Sequence, residues 1–293
     1  MAPPTSPPAP TGDTGESKLK IYFLPNLLTA GNLFCGFVAL TKIVEAIPES
    51  PEFTHTIRVA LFYILLACIC DLFDGRVARM GGYESPFGRE FDSLADIVSF
   101  GVAPAFLVHR IVLADVFKLY PKLGWFIASI YLICGAFRLA RFNCLAEKPG
   151  SGGGKEFMGF PIPAAAGFVA SLTLLLLWAE DHGYTKFRES YVRFTLPVLL
   201  VFLSLMMVST VKYPTFKKLD FRATRTFPKM VAIVLVVGMF FILWDVLLQF
   251  ALPTLFTAYL VYGFVRPSIS RRMRHEIEEE DEDDEEAETP PTN

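Results

Sequence analysis

The stretch Cys70–Gly101, CDLFDGRVARMGGYESPFGREFDSLADIVSFG, sets four aspartates, Asp71, Asp74, Asp92 and Asp96, into segments otherwise apolar enough for a lipid bilayer. An ionised carboxylate at membrane depth is costly, so it faces a partner, a cavity or a metal. Asp71 and Asp74 lie three residues apart, Asp92 and Asp96 four apart, so each pair shares one face of a helix. Between the pairs, Met80–Gly88 carries three glycines and a proline, which should end one helix before the next begins. Two antiparallel helices joined in this way can bring all four carboxylates together near one membrane surface. Like charges so close need cations between them. All-oxygen ligation suits Mg²⁺, Mn²⁺ or Ca²⁺ and disfavours zinc. Gly75 permits close backbone approach, and Arg76, Arg79 and Arg89 supply cations suited to phosphate. Carboxylates, metal and arginine at a membrane surface point to phosphoryl-type chemistry on a lipid.

The surrounding chain supports the membrane setting. The 293 residues are 53% hydrophobic, with a mean hydropathy of +0.42, above that of ordinary soluble domains. Apolar windows of spanning or near-spanning length predict eight helices: Leu27–Ala46, Ile57–Arg79, Phe87–Val112, Gly124–Asn143, Pro161–Ala179, Phe194–Val211, Met230–Leu247 and Gln249–Val265. Only Asp245–Gln249 and Pro253 interrupt the last apolar run, so a seven-span alternative, which would reverse the C-terminus, stays open. The fold class expected is all-α, a polytopic helix bundle. With eight spans and an inner N-terminus, 19 of the 27 lysines and arginines fall on the inner side, leaving Lys42, Arg58, Arg110, Lys118, Lys122, Lys186, Arg188 and Arg193 outside. That bias obeys the positive-inside rule. It puts the aspartates, and both termini, on the cytoplasmic side of the cell membrane.

Residues 1–17, rich in Pro, Thr, Gly and Ser, read as a disordered tail without the basic and apolar regions of a signal peptide. The membrane domain is expected over 18–267. Residues 268–293 form a basic-then-acidic tail, with eleven acids at positions 276–288. Without that run the net charge of −3 becomes about +8, a basic body with an acidic appendage. Either simple solvation or shielding of the basic inner face suits the tail. Cys35, Cys68, Cys70, Cys134 and Cys144 show no metal-site spacing and read as buried free thiols. Gly150–Lys155 lacks the spacing of a nucleotide P-loop and reads as an inner loop. None of His55, His109, His182 and His275 falls near the aspartates in this topology.

The pattern Asp71-x2-Asp74-Gly75-x2-Ala78-Arg79-x8-Gly88-x3-Asp92-x3-Asp96 resembles the full signature of the CDP-alcohol phosphotransferase family, with every fixed position and the eight-residue spacer matched. The resemblance implies a two-ion site of Mg²⁺ or Mn²⁺, with Asp71 and Asp92 bridging both ions, Asp74 completing one and Asp96 the other. It implies Asp96 as the base and Arg79 with the Gly75 backbone on the nucleotide, Ala78 and Gly88 lining the same CDP-lipid pocket. A homodimer is implied too; nucleic acid is not an expected partner.

Pro25-Asn26-Leu-Leu-Thr29-Ala-Gly31-Asn32 opens the first helix, with Asn26 placed as its cap. These small polar residues suit either a capped helix start or a nucleotide pocket. The family resemblance favours the pocket for Asn26 and Thr29, and it places Ser85 there beside the plainer reading of a turn-stabilising hydroxyl. Arg138-Leu-Ala-Arg141-Phe-Asn143 sets two arginines one turn apart, fit to snorkel to anionic lipid or to bind an anion. With Phe157-Met-Gly-Phe-Pro161-Ile-Pro163-Ala-Ala-Ala166, it resembles the phosphatidylserine synthase branch of the family, although Phe160 stands where that branch more often has Leu. The implied reaction moves a phosphatidyl group from CDP-diacylglycerol to L-serine, with Arg138 or Arg141 reading the serine carboxylate. Glycerol 3-phosphate or an inositol phosphate as acceptor, an ion-coupled transporter, and a non-catalytic lipid-binding or scaffolding protein with a degenerate site are the alternatives.

Overall fold

Prolines and polar breaks divide the apolar sequence into rods. In the computed structural model, residues 23–48, 50–81, 85–146, 156–184, 190–214, 247–263 and 265 are described. The rods are α1 (Phe23–Glu45), α2 (Phe53–Gly81), α3 (Pro86–Val116), α4 (Pro121–Ala146), α5 (Ile162–Asp181), α6 (Ser190–Val208) and α7 (252–263). Among the described residues, α1 to α5 are each long and apolar enough to cross a membrane, and the shorter apolar stretch Phe194–Val208 lies within α6. The first six expected spans match α1–α6 to within about a turn. The seventh, Met230–Leu247, lies outside the described residues except for Leu247. The eighth corresponds to α7 and the π-helical turn Leu247–Ala251 before it.

Helix starts follow local chemistry. Ser85 caps α3, its Oγ accepting from the Gly88 amide at 3.0 Å. Pro86 fills the next position, where its missing N–H matters least. Asn26 is not the cap of α1, because that helix already begins at Phe23. Pro25 causes the difference: its fixed φ is compatible with a first helical turn, so the helix starts ahead of it rather than after it.

α3 departs from the uniform helix expected. It contains two π-helical segments, Ile97–Val102 and His109–Leu113. Pro104, just beyond the first, has no N–H to return to the ladder, and a widened turn absorbs that mismatch. The first segment presses Ser99 onto α1. Ser99 Oγ donates to the Asn32 carbonyl at 2.9 Å, and a Cβ on Gly36 would lie only 2.2 Å from that oxygen. Only glycine admits so close an approach.

One end of the bundle, here the site end, gathers the start of α1, the end of α2, the start of α3 and the end of α4. The starts of α5 and the end of α6 join them: Cys68 Sγ approaches the Pro163 carbonyl at 3.6 Å, and Arg141 Nη1 reaches the Val208 carbonyl at 3.4 Å. A short antiparallel ladder, β1 (Glu156–Met158) with β2 (Lys212–Pro214), pairs Phe157 with Tyr213. At the far end, Arg110 donates twice to the Ala46 carbonyl, at 3.2 and 2.7 Å, and Arg58 pairs with Asp181. α7 packs along α5, with Phe250 against Trp178, Phe256 over Gly167 and Phe168, and Tyr259 against Phe160. It therefore runs from the far end towards the site end. The buried core between the rods includes Ile43, Leu61, Phe100, Leu107, Tyr131, Ile162 and Leu200.

Candidate metal and phosphoryl-transfer site

Helical spacing on α2 and α3 does what the sequence requires of it. Asp71, Asp74 and Asp92 each offer a carboxylate oxygen, and these atoms lie within 4.8 Å of one another. Two unit charges at that distance repel by roughly 3 kcal/mol at an effective dielectric constant of about 20. An oxygen-only cluster of this kind fits a hard divalent cation, which would remove the repulsion. Asp96 is not part of that trio. It is buried, and one of its oxygens accepts from Asn32 Nδ2 at 3.1 Å. Asn32 is itself held by Ser99 through its carbonyl, so the π segment of α3 helps to fix the residue that fixes Asp96.

α1 forms the second wall. Thr29 Oγ1 lies 2.9 Å from Asp74 Oδ2 and 3.2 Å from the Pro25 carbonyl. With one hydroxyl proton to give, Thr29 can orient the Asp74 carboxylate of the trio. Asn26 faces Gly88, where an added Cβ would lie 3.4 Å from Asn26 Oδ1, and its Nδ2 is buried without a hydrogen-bond partner. A buried amide donor in that state can take a water or an acceptor atom from outside the chain as its partner. Ser85, the cap of α3, already spends its oxygen on Gly88. Gly75 and Ala78 lie half-buried on α2 between the aspartates and the helix end. Arg79 belongs to the last turn of α2, but its side chain lies outside the described residues, as do residues 147–155 with the glycine-rich stretch.

The two arginines of α4 do different things. Arg141 is turned to the end of α6, where Val208 supplies a carbonyl. Arg138 lies within electrostatic reach of Asp96, Tyr259 and Asp71, and its Nε is shielded from solvent without a partner. Asn143, the last residue of the same motif, donates to Ser93 Oγ at 3.0 Å and ties α4 to α3 beside the aspartates. Gly159 of the second motif has φ +84°, and a Cβ there would come within 2.3 Å of the Met207 carbonyl. That glycine is required by the fold. The histidines described, His55, His109 and His182, lie towards the far end, and Cys144 is exposed, unlike the buried thiol expected; the polar end of α4 gives it nothing to pack under.

Comparison with known proteins decides what this arrangement is. The family model of the CDP-alcohol phosphatidyltransferases matches residues 22–208, the segment that supplies α1 to α6. The chain belongs to the CDP-alcohol phosphatidyltransferase family. It is 34% identical over 246 residues to the CDP-diacylglycerol–serine O-phosphatidyltransferase of Helicobacter pylori, covering 84% of this chain and 91% of that protein. The enzyme of the same name from Bacillus subtilis is 33% identical over 196 residues, 67% of this chain and 92% of its own length. An archaetidylserine synthase from Methanothermobacter thermautotrophicus is 30% identical over 193 residues, 65% of this chain and 69% of that protein. CDP-alcohol phosphatidyltransferases are metal-dependent, and the Asp71, Asp74 and Asp92 cluster is a donor set of the right chemistry. Sequence reasoning took Asn32 only as part of the polar run that opens α1 and gave Ser99 no role, whereas Asn32 donates to Asp96 and Ser99 donates to the Asn32 carbonyl. Position was the signal for Asn32, three residues beyond Thr29 on the same face of α1; nothing local marks Ser99.

Proposed function

We propose that this multi-pass membrane enzyme transfers a phosphatidyl group from CDP-diacylglycerol to the hydroxyl of L-serine, giving phosphatidylserine and CMP. The observation that carries it is the convergence of three carboxylates within 4.8 Å, with the buried Asp96 held by Asn32 beside them. The names of the relatives select serine among acceptors.

Asp71, Asp74 and Asp92 would hold two divalent ions, Mg²⁺ or Mn²⁺, with Asp96 as a fourth ligand. Bound there, such ions would neutralise pyrophosphate charge and favour CMP as the leaving group. Asn26, Gly75, Ala78, Arg79 and Gly88 hold the CDP end, with Thr29 steadying Asp74 and Ser85 fixing the turn under Gly88. The serine oxygen attacks the phosphorus that bears diacylglycerol, and the bond from that phosphorus to the bridging oxygen of CMP breaks. Asp96 takes the proton from the serine hydroxyl. Asn32, donating to the other side of that carboxylate, keeps it aimed. Arg138, with its unmatched Nε, reads the serine carboxylate through a charge-assisted bond. Arg141 gives it secondary support while bracing α6.

The site end is proposed to face the cytoplasm of the cell membrane, on the strength of the lysine and arginine bias. Eight spans complete this proposal. The seventh of them, Met230–Leu247, rests on its apolar sequence. A membrane domain over 18–267 between two solvated tails, assembled as a homodimer, rests on sequence and family likeness.

The test is CMP release by the purified full chain, supplied with CDP-diacylglycerol, Mn²⁺ or Mg²⁺, and serine, glycerol 3-phosphate or inositol phosphate in turn. CMP with serine alone is expected. Turnover in excess chelator would sink the metal role, and CMP with another acceptor alone would replace serine. No CMP with any acceptor would leave the transport or scaffold readings.

A further inference from the structure

Three contacts set α3 and α4 against each other in antiparallel register. Towards the far end, a Cβ on Gly124 would lie 3.2 Å from the Leu113 carbonyl. Midway, a Cβ on Gly101 would lie 2.9 Å from Leu132 Cδ1. At the site end, Asn143 Nδ2 donates to Ser93 Oγ at 3.0 Å and lies 3.5 Å from Glu90 Oε1. Asp96 follows Ser93 by three residues, and Arg138 precedes Asn143 by five. At a rise of 1.5 Å per residue, they stand about 4.5 and 7.5 Å deeper than the bond between Asn143 and Ser93. The two therefore face the same depth to within about 3 Å, on neighbouring helices, between that bond and the Gly101 contact.

The two helices are not held equally at this end. The start of α3 is fixed by the Ser85 cap and by the bond from Asn32 to Asp96. The last turn of α4 is braced on two sides, because residues two apart point about 200° apart around a helix. Arg141 meets the Val208 carbonyl of α6 at 3.4 Å, and Asn143 holds α3 by the shorter bond. Loosening the Asn143 bond would release α4 rather than α3.

We propose that Asn143 is a specificity-determining positioning residue: its bond to Ser93 sets the separation of Asp96 and Arg138, and so the length of acceptor the site accepts. This rests on the reading of Asp96 as the base and Arg138 as the reader of the serine carboxylate. A base and a guanidinium at fixed separation measure the distance between a hydroxyl and a carboxylate on one molecule. A rigid spacing rejects one extra methylene by roughly 10- to 200-fold, and a loosened one rejects it less.

The test follows CMP release by the purified full chain, with L-homoserine, one methylene longer than serine, as the competing ligand. Asn143→Ala and Ser93→Ala should each raise the KM for serine about three- to tenfold, the loss of one neutral hydrogen bond. The KM for CDP-diacylglycerol should stay within about twofold, and the ratio of the homoserine inhibition constant to the serine KM should fall. The double variant should be no worse than either single one. Ser93→Thr, which keeps the hydroxyl, should behave as the parent. If both alanine variants leave the serine KM unchanged while Arg138→Ala raises it, the brace is wrong and the arginine reading survives. If Arg138→Ala leaves it unchanged too, the arginine reading falls and takes this proposal with it. Additive losses in the double variant would show that the bond is not the cause. A lowered thermal midpoint with serine and homoserine weakened equally would make Asn143 a packing residue, and either result overturns the proposal.

Discussion

The two ends of this bundle treat charge in opposite ways. At the far end, charges close on one another or on the backbone: Arg58 with Asp181, Lys42 with Glu45, Lys118 with Asp115, and Arg110 on the Ala46 carbonyl just after α1. At the site end, three carboxylates crowd within 4.8 Å while Asn26, Arg138 and Arg141 each bury a donor atom that has no partner. Charges that satisfy one another serve the fold. Like charges gathered in one place do not serve the fold in that way, and under the proposed function they serve cations, phosphates and a carboxylate from outside.

The sharpest way to break this contrast is Asp92→Asn. Removing one of the crowded charges should abolish CMP release, by on the order of a thousandfold or more, without lowering the thermal midpoint, because like-charge repulsion is relieved. A destabilised protein would show instead that the carboxylates hold the bundle together. Next in size is Asn32→Ala, which deprives Asp96 of its donor. With about 1.5–3 kcal/mol at stake in a bond to a charged group, kcat should fall roughly 10- to 100-fold while the KM for CDP-diacylglycerol holds. Gly36→Ala tests the contact between α1 and the π segment. Overpacking against Ser99 should lower stability by about 1–3 kcal/mol and reduce activity with it, as read by denaturation alongside CMP release. Smallest is Asp181→Ala at the far end. Both partners of that pair are two-fifths exposed or more, so the loss should be about 0–1 kcal/mol with activity unchanged. A large drop in turnover from Asp181→Ala would erase the distinction between the ends.

Much of this was legible in the chain. The spacing of Asp71, Asp74, Asp92 and Asp96, broken by Met80–Gly88, placed the carboxylates on two helices, and α2 and α3 put three of them together. Apolar run length gave α1 to α6 nearly to the turn, because a bilayer imposes a length that the sequence must meet. What was not legible depended on contacts between distant segments. Nothing local marks Thr29 as the partner of Asp74, or Asn32 as that of Asp96; those bonds exist because Gly36 lets α1 lie against Ser99. Nor does the R-L-A-R run reveal that Arg141 turns to α6 while Arg138 turns inward. The Asn26 cap failed for a local reason, since a proline can begin a helix as readily as an asparagine can introduce one.

The widened turn at Ile97–Val102 has a consequence for how α3 can vary. In a regular α-helix each residue advances the side-chain direction by about 100°, so one added residue would swing everything beyond it by that angle. A π turn takes up the additional residue within itself. Removing one residue from Ile97–Val102 would therefore restore a regular coil and leave Arg110 close to its bearing on the loop after α1, where it meets Ala46, while Asp92 and Asp96 keep theirs on α2. What such a deletion would take away is local: the bulge that seats Ser99 against Gly36 and the Asn32 carbonyl. The same deletion made in the regular coil between Ala103 and Val108 would instead turn Arg110 away from Ala46.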